Sequence, residues 1–196
     1  LMGQGFSEDS IRILKGSSPD SIKALTWYWA AEWFYDSQDY DYIDPHYGVI
    51  VEDGGECLAP GDRDNRKATK YQKRTTDRHN LEASNRLFIK VVEEAHARGI
   101  KVILDGVFNH CGSFHKWMDR EEIYCQNADY APGAYIDRES PYRGYFGFQD
   151  QNAWPYNTTY EGWWGHDTLP KLNYDESPEL YQYILNVAKK WVSPPY

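Results

Sequence analysis

The sequence predicts an α/β fold built on a parallel sheet, and three observations in one stretch carry that prediction. First, residues 84–99 read as an amphipathic helix, with Ser84 as N-cap, Leu87, Phe88, Val91, Val92 and Ala95 on one face, and Gly99 as the C-terminal stop. Second, Val102-Ile103-Leu104 follows at once, a continuous branched run of the kind found in strands covered on both faces. Third, Asp105, Asn109 and His110 crowd the end of that run. A helix followed within two residues by a buried strand is half of a βα repeat, and in such folds ligands bind at the carboxyl ends of the strands.

Taken in order, residues 1–22 are rich in Gly and Ser, and Gly16-Ser17-Ser18-Pro19-Asp20 is a turn cluster. Ile22–Trp33 is apolar and aromatic, as expected of a buried strand and its loop. Residues 51–82 form a long polar insertion whose basic run, from Arg63 to Arg78, reads as a solvated loop. After His110 the pattern breaks into Gly, Pro, Asp and aromatic residues until about Asp175, an excursion with a small core of its own. Ser177-Pro178-Glu179 then opens a helix with an N-cap, a first-turn proline and an early acid. Leu180, Ile184, Val187, Ala188 and Trp191 form its buried face, and Pro194-Pro195 ends it.

Composition narrows the function. A net charge of −9 argues against nucleic acid or an anionic membrane as partner, since either calls for a basic surface. Aromatic residues make up 16% of the chain, including 8 Trp and 17 Tyr, and such rings cover the apolar faces of sugars while their polar tips meet hydroxyls. Cys57, Cys111 and Cys125 make no disulfide framework, and no apolar run approaches the roughly 20 residues of a membrane helix. With no signal peptide visible, the expectation is a cytoplasmic protein, although the chain opens at Leu1 without an initiator methionine. His110, Cys111 and His115 match no closed zinc pattern, so no metal is assigned to them.

Three motifs then point to one family. Asp105-Gly106-Val107-Phe108-Asn109-His110 resembles the D-x-V-x-N-H signature of the α-amylase family, glycoside hydrolase family 13. Leu169-Pro170-Lys171-Leu172-Asn173 is similar to a second family signature, in the form found among neopullulanases and cyclomaltodextrinases. Tyr35 to Tyr40 and Ile43 to Gly48 resemble a third pair of segments. The resemblance runs from about residue 33 to the end and implies a partial (β/α)8 TIM barrel, because a whole one takes about 250 residues. Residues 1–110 would be the N-terminal part of the barrel with its insertion at 51–82, 111–175 a domain B inserted after strand 3, and 176–196 the helix returning to the barrel.

The resemblance also assigns roles. Tyr35 would stack beneath the sugar at the point of cleavage, Asp105 would organise the pocket, and His110 would donate a hydrogen bond to a sugar hydroxyl. Asn109 occupies a position that binds calcium in many α-amylases, yet Lys171 stands where an aspartate is usual, so no calcium and no other cofactor is expected there. Trp163-Trp164 is the candidate sugar platform. The family's nucleophile, acid/base and stabilising aspartate come from later strands, so no catalytic carboxylate is assigned in this chain, which alone is expected to be inactive. The implied activity is retaining hydrolysis of α-glucosidic bonds in maltodextrins, cyclodextrins or pullulan by the parent enzyme. A non-catalytic glucan-binding protein and a transglycosylase or branching enzyme are the alternatives. The expected partner is an oligosaccharide, with no nucleic acid and no membrane; oligomeric state is not read from the sequence.

Overall fold

The computed structural model describes residues 37–193 and 195, which form the bulk of one unit, Ser37–Tyr196. Tyr35 and the strand expected at 22–33 lie outside the described residues. Three α-helices frame the unit: α1 at Thr69–Thr76, α2 at Arg78–Ala97 and α3 at Pro178–Trp191. Among the described residues none of these helices is long and apolar enough to cross a membrane.

Helix α2 starts six residues before the expected cap. Asp77 caps it by accepting the His79 N–H at 2.9 Å, and Gly99, with φ +74°, closes it by donating to His96 O at 2.9 Å. Ser84 is therefore not a cap; it lies buried in mid-helix and donates to Asn80 O at 2.8 Å. It belongs to a polar row that holds the preceding loop. Asn80 Oδ1 accepts the Val51 N–H at 2.6 Å, Ser84 Oγ the Val49 N–H at 3.0 Å, and Asn85 Oδ1 the Ile43 N–H at 2.9 Å. Buried side chains that satisfy backbone groups replace the ladder the loop does not have. Gly48 permits the approach, since a Cβ there would fall 2.4 Å from Ser84 Cβ. The polar insertion is partly helical, because α1 lies within it. Its cations pair locally, Arg74 with Asp53 at 2.8 Å and Lys73 with Asp77 at 2.8 Å.

The expected parallel strand is not formed. Among the described residues, sheet pairing is confined to isolated antiparallel bridges, and residues 101–106 make no backbone hydrogen bond. Ile103 is 92% exposed, and Val102 and Leu104 are exposed as well. An apolar run becomes a buried strand only when neighbours take up its N–H and C=O groups, and no described residue does so.

Helix α3 follows the sequence expectation. Ser177 Oγ accepts the Leu180 N–H at 3.3 Å, Pro178 occupies the first turn, and Leu180, Ile184 and Val187 are buried. The core they join is not confined to residues 111–175. It runs from Tyr40 through Cys111, Trp117, Met118, Phe146, Phe148, Tyr160 and Leu172 to α3. Trp191 Nε1 donates to Tyr40 O at 2.7 Å, and Tyr183 hydrogen-bonds Asp41. Beside them Lys116 bonds both oxygens of Asp39, at 3.1 and 3.0 Å.

Asp119 anchors the 119–125 turn. Its fully buried carboxylate accepts from the backbone N–H of Ile123, Tyr124 and Cys125 at 2.7, 3.1 and 2.9 Å. Burial pushes its pKa up to about 7 against the pull of those donors. A carboxyl whose folded pKa lies above its unfolded value binds more protons when folded, so its contribution falls as pH rises between about 4 and 7. The stability difference between the wild-type chain and Asp119→Asn should therefore shrink by a few kcal/mol from pH 4 to pH 7 in urea unfolding. A pH-independent difference would show that Asp119 does not titrate in that window.

Candidate functional site

Three short antiparallel segments build the site. Residues 109–111 pair with 170–172, with Cys111 N donating to Pro170 O at 3.1 Å and Leu172 N to Asn109 O at 3.1 Å. Residues 161–163 pair with 169–171, with Trp163 N donating to Leu169 O at 2.8 Å and Lys171 N to Glu161 O at 2.9 Å. Side chains alternate along extended segments, and directly opposed residues share a face. Cys111, Leu172, Phe146 and Tyr160 accordingly fall on the core side and are buried. His110, Lys171, Glu161 and Trp163 fall on the other.

The backbone beneath this face is held from the core. Tyr40 Oη donates to His110 O at 2.6 Å and Tyr174 Oη to Phe108 O at 2.5 Å, and burial raises both phenol pKa values, keeping them protonated donors. Gly162 is required by the tight turn that follows, since a Cβ there would lie 2.1 Å from His166 O.

On the open face the rings form a staircase. His110 stacks on Trp163 at 6.1 Å with 27° between planes, and Trp163 on Trp164 at 6.1 Å with 22°. Trp164 is 86% exposed and adopts φ 53°, ψ 25°. A bulky side chain in the left-handed region is uncommon and costs about 1–3 kcal/mol. Here the strain holds an indole out in solvent, parallel to its neighbour.

His110 is only 4% exposed, beneath that stack. Asn109 Nδ2 lies 2.5 Å from His110 Nδ1. Trp163 and Trp164 thus join His110, whereas Asp105 does not; it is exposed on the unpaired 101–106 segment. Lys171 stands directly opposite His110 across the pairing, and its ammonium is bonded to the Glu161 carboxylate at 2.7 Å. Among the described residues no group of three or more His, Cys, Asp or Glu is placed to hold a metal. Glu161 is the residue that sequence reasoning missed. Its signal was the alternation Glu161-Gly162-Trp163 set against Leu169-Pro170-Lys171, visible only once the two segments are paired.

The open face thus carries a solvent-facing indole pair with an imidazole at its foot, and the Lys171–Glu161 ion pair shares that face. The family model "Alpha amylase, catalytic domain" matches residues 83–194, over half of the chain, and the chain belongs to that family, the glycosidases of family 13. It is 35% identical over 122 residues to an amylopullulanase of Thermoanaerobacter thermohydrosulfuricus, covering 55% of this chain and 8% of that protein. It is 30% identical over 166 residues to a cyclomaltodextrinase of Thermoanaerobacter pseudethanolicus, covering 81% of this chain and 20% of that protein. Among solved structures it matches the type III pullulan hydrolase from Thermococcus kodakarensis at 25% identity and a TM-score of 0.48, over 81% of this chain and 19% of that one. The chain thus spans no more than a fifth of the length of these relatives.

Proposed function

We propose that this chain contributes a sugar-binding wall to an enzyme that hydrolyses α-glucosidic bonds in maltodextrin-, cyclodextrin- or pullulan-type glucans with retention of configuration. The carrying observation is the stack of Trp163 and the strained, exposed Trp164 above His110. The names of the relatives support the glucan class. In this proposal residues 1–110 are part of a (β/α)8 barrel, 111–175 its domain B and 176–196 the returning helix.

Retaining hydrolysis needs one carboxylate to attack the anomeric carbon while another carboxyl protonates the leaving oxygen, about 5–5.5 Å away. Water then cleaves the glycosyl-enzyme. No carboxylate of this chain is given either part; Tyr35, Asp105, Asn109, His110, Trp163 and Trp164 are proposed to touch substrate. Calorimetric titration of the chain with maltoheptaose tests the wall. Trp164→Ala should weaken binding roughly tenfold or more, the loss expected for an exposed stacking ring of about 1–3 kcal/mol. Unchanged affinity in that variant, or no binding by the wild-type chain, would remove the platform.

A further inference from the structure

We infer that Lys171 and Glu161 form a specificity-determining edge of the platform, reading a vicinal pair of sugar hydroxyls; the inference rests on the proposed glucan-binding role of this face. The two residues stand directly opposite each other across the 161–163 and 169–171 pairing, on the same face as His110 and Trp163. Their charged ends meet at 2.7 Å, with side chains 40% and 58% exposed. An exposed pair of this kind contributes little to stability, so folding alone does not account for its position beside the rings.

The chemistry of the pair fits a diol. A ring lying on Trp163 or Trp164 turns its C–H face to the indole and its equatorial hydroxyls outward, towards the rim. A carboxylate only accepts hydrogen bonds and an ammonium only donates them, whereas a hydroxyl does both. Adjacent hydroxyls can therefore give a proton to Glu161 and take one from Lys171 while the ion pair stays intact and neither charge is left uncompensated. In an α-1,4-glucan every internal unit keeps its 2- and 3-hydroxyls free, because the chain is joined through positions 1 and 4. Removal of the 2-hydroxyl takes away one partner.

The test is titration of the 196-residue chain with maltotriose and with 2-deoxymaltotriose, for wild type, Lys171→Met, Glu161→Gln and Trp164→Ala. Wild type should prefer maltotriose about tenfold or more, as expected for a hydrogen bond to a charged group. Lys171→Met and Glu161→Gln should lose that preference with unchanged thermal unfolding, while Trp164→Ala weakens both sugars alike and keeps it. If the two edge variants retain the wild-type preference while Trp164→Ala binds weakly, the edge is overturned and the platform stands. If wild type binds neither sugar, the platform fails and the edge with it.

Discussion

His110→Ala, made in the glucan hydrolase proposed above, should lower kcat roughly 10- to 1000-fold with a smaller change in KM, the loss typical of one preorganised donor. The expectation follows from how the imidazole is held. Its backbone carbonyl is pinned by Tyr40, its Nδ1 faces Asn109 Nδ2, and its ring is packed under Trp163, so little reorganisation remains when charge develops on the sugar. Because His110 is buried, the variant needs a stability control, and thermal unfolding read beside kcat separates lost chemistry from lost packing. An unchanged kcat in a folded variant would take His110 out of the site.

The second large effect lies in the core. Trp117→Ala should cost about 3–5 kcal/mol, a substantial share of the 5–15 kcal/mol typical of a domain. The indole is fully buried and meets Tyr40 at 5.3 Å, His115 at 4.3 Å, Tyr145 at 5.0 Å and Tyr183 at 5.1 Å, the last two edge-on. Those rings belong to different stretches of chain: Tyr40 anchors the loop under His110 and Tyr183 belongs to α3. Loss of the indole should therefore lower the urea midpoint and weaken sugar binding together. Trp117→Phe should recover part of both. A midpoint within experimental error of wild type would show that these contacts are not coupled through Trp117.

Legibility in the sequence followed how local the deciding interaction was. Helix α3 was readable because its cap, its first-turn proline and its apolar spacing all lie within residues 177–191. Helix α2 was readable as a helix but misjudged at its start and on its face: of the apolar row expected inside, only Val92 is buried, while Leu87 and Val91 are exposed. Asp77 and Ser84 are both cap-forming residues, and only the loop at 43–52, held by Asn80, Ser84 and Asn85, shows which one is buried inside the helix. The run at 101–104 carried a strand's composition, but composition supplies no partner for the backbone.

By itself the sequence determined the family, through three short motifs in order, together with α3 and the aromatic content from which the core and the platform are made. The tertiary structure alone decided which of those residues share a face. His110, Glu161, Trp163 and Lys171 meet because two antiparallel registers bring distant segments together, 110 opposite 171 and 162 opposite 170. Side chains alternate with a period of two, so a slip of one residue in either register would turn that segment's site residues into the core. Such a register is set by long-range hydrogen bonds and by the burial of Cys111, Leu172 and Phe146 on the opposite face, which no local stretch of sequence encodes.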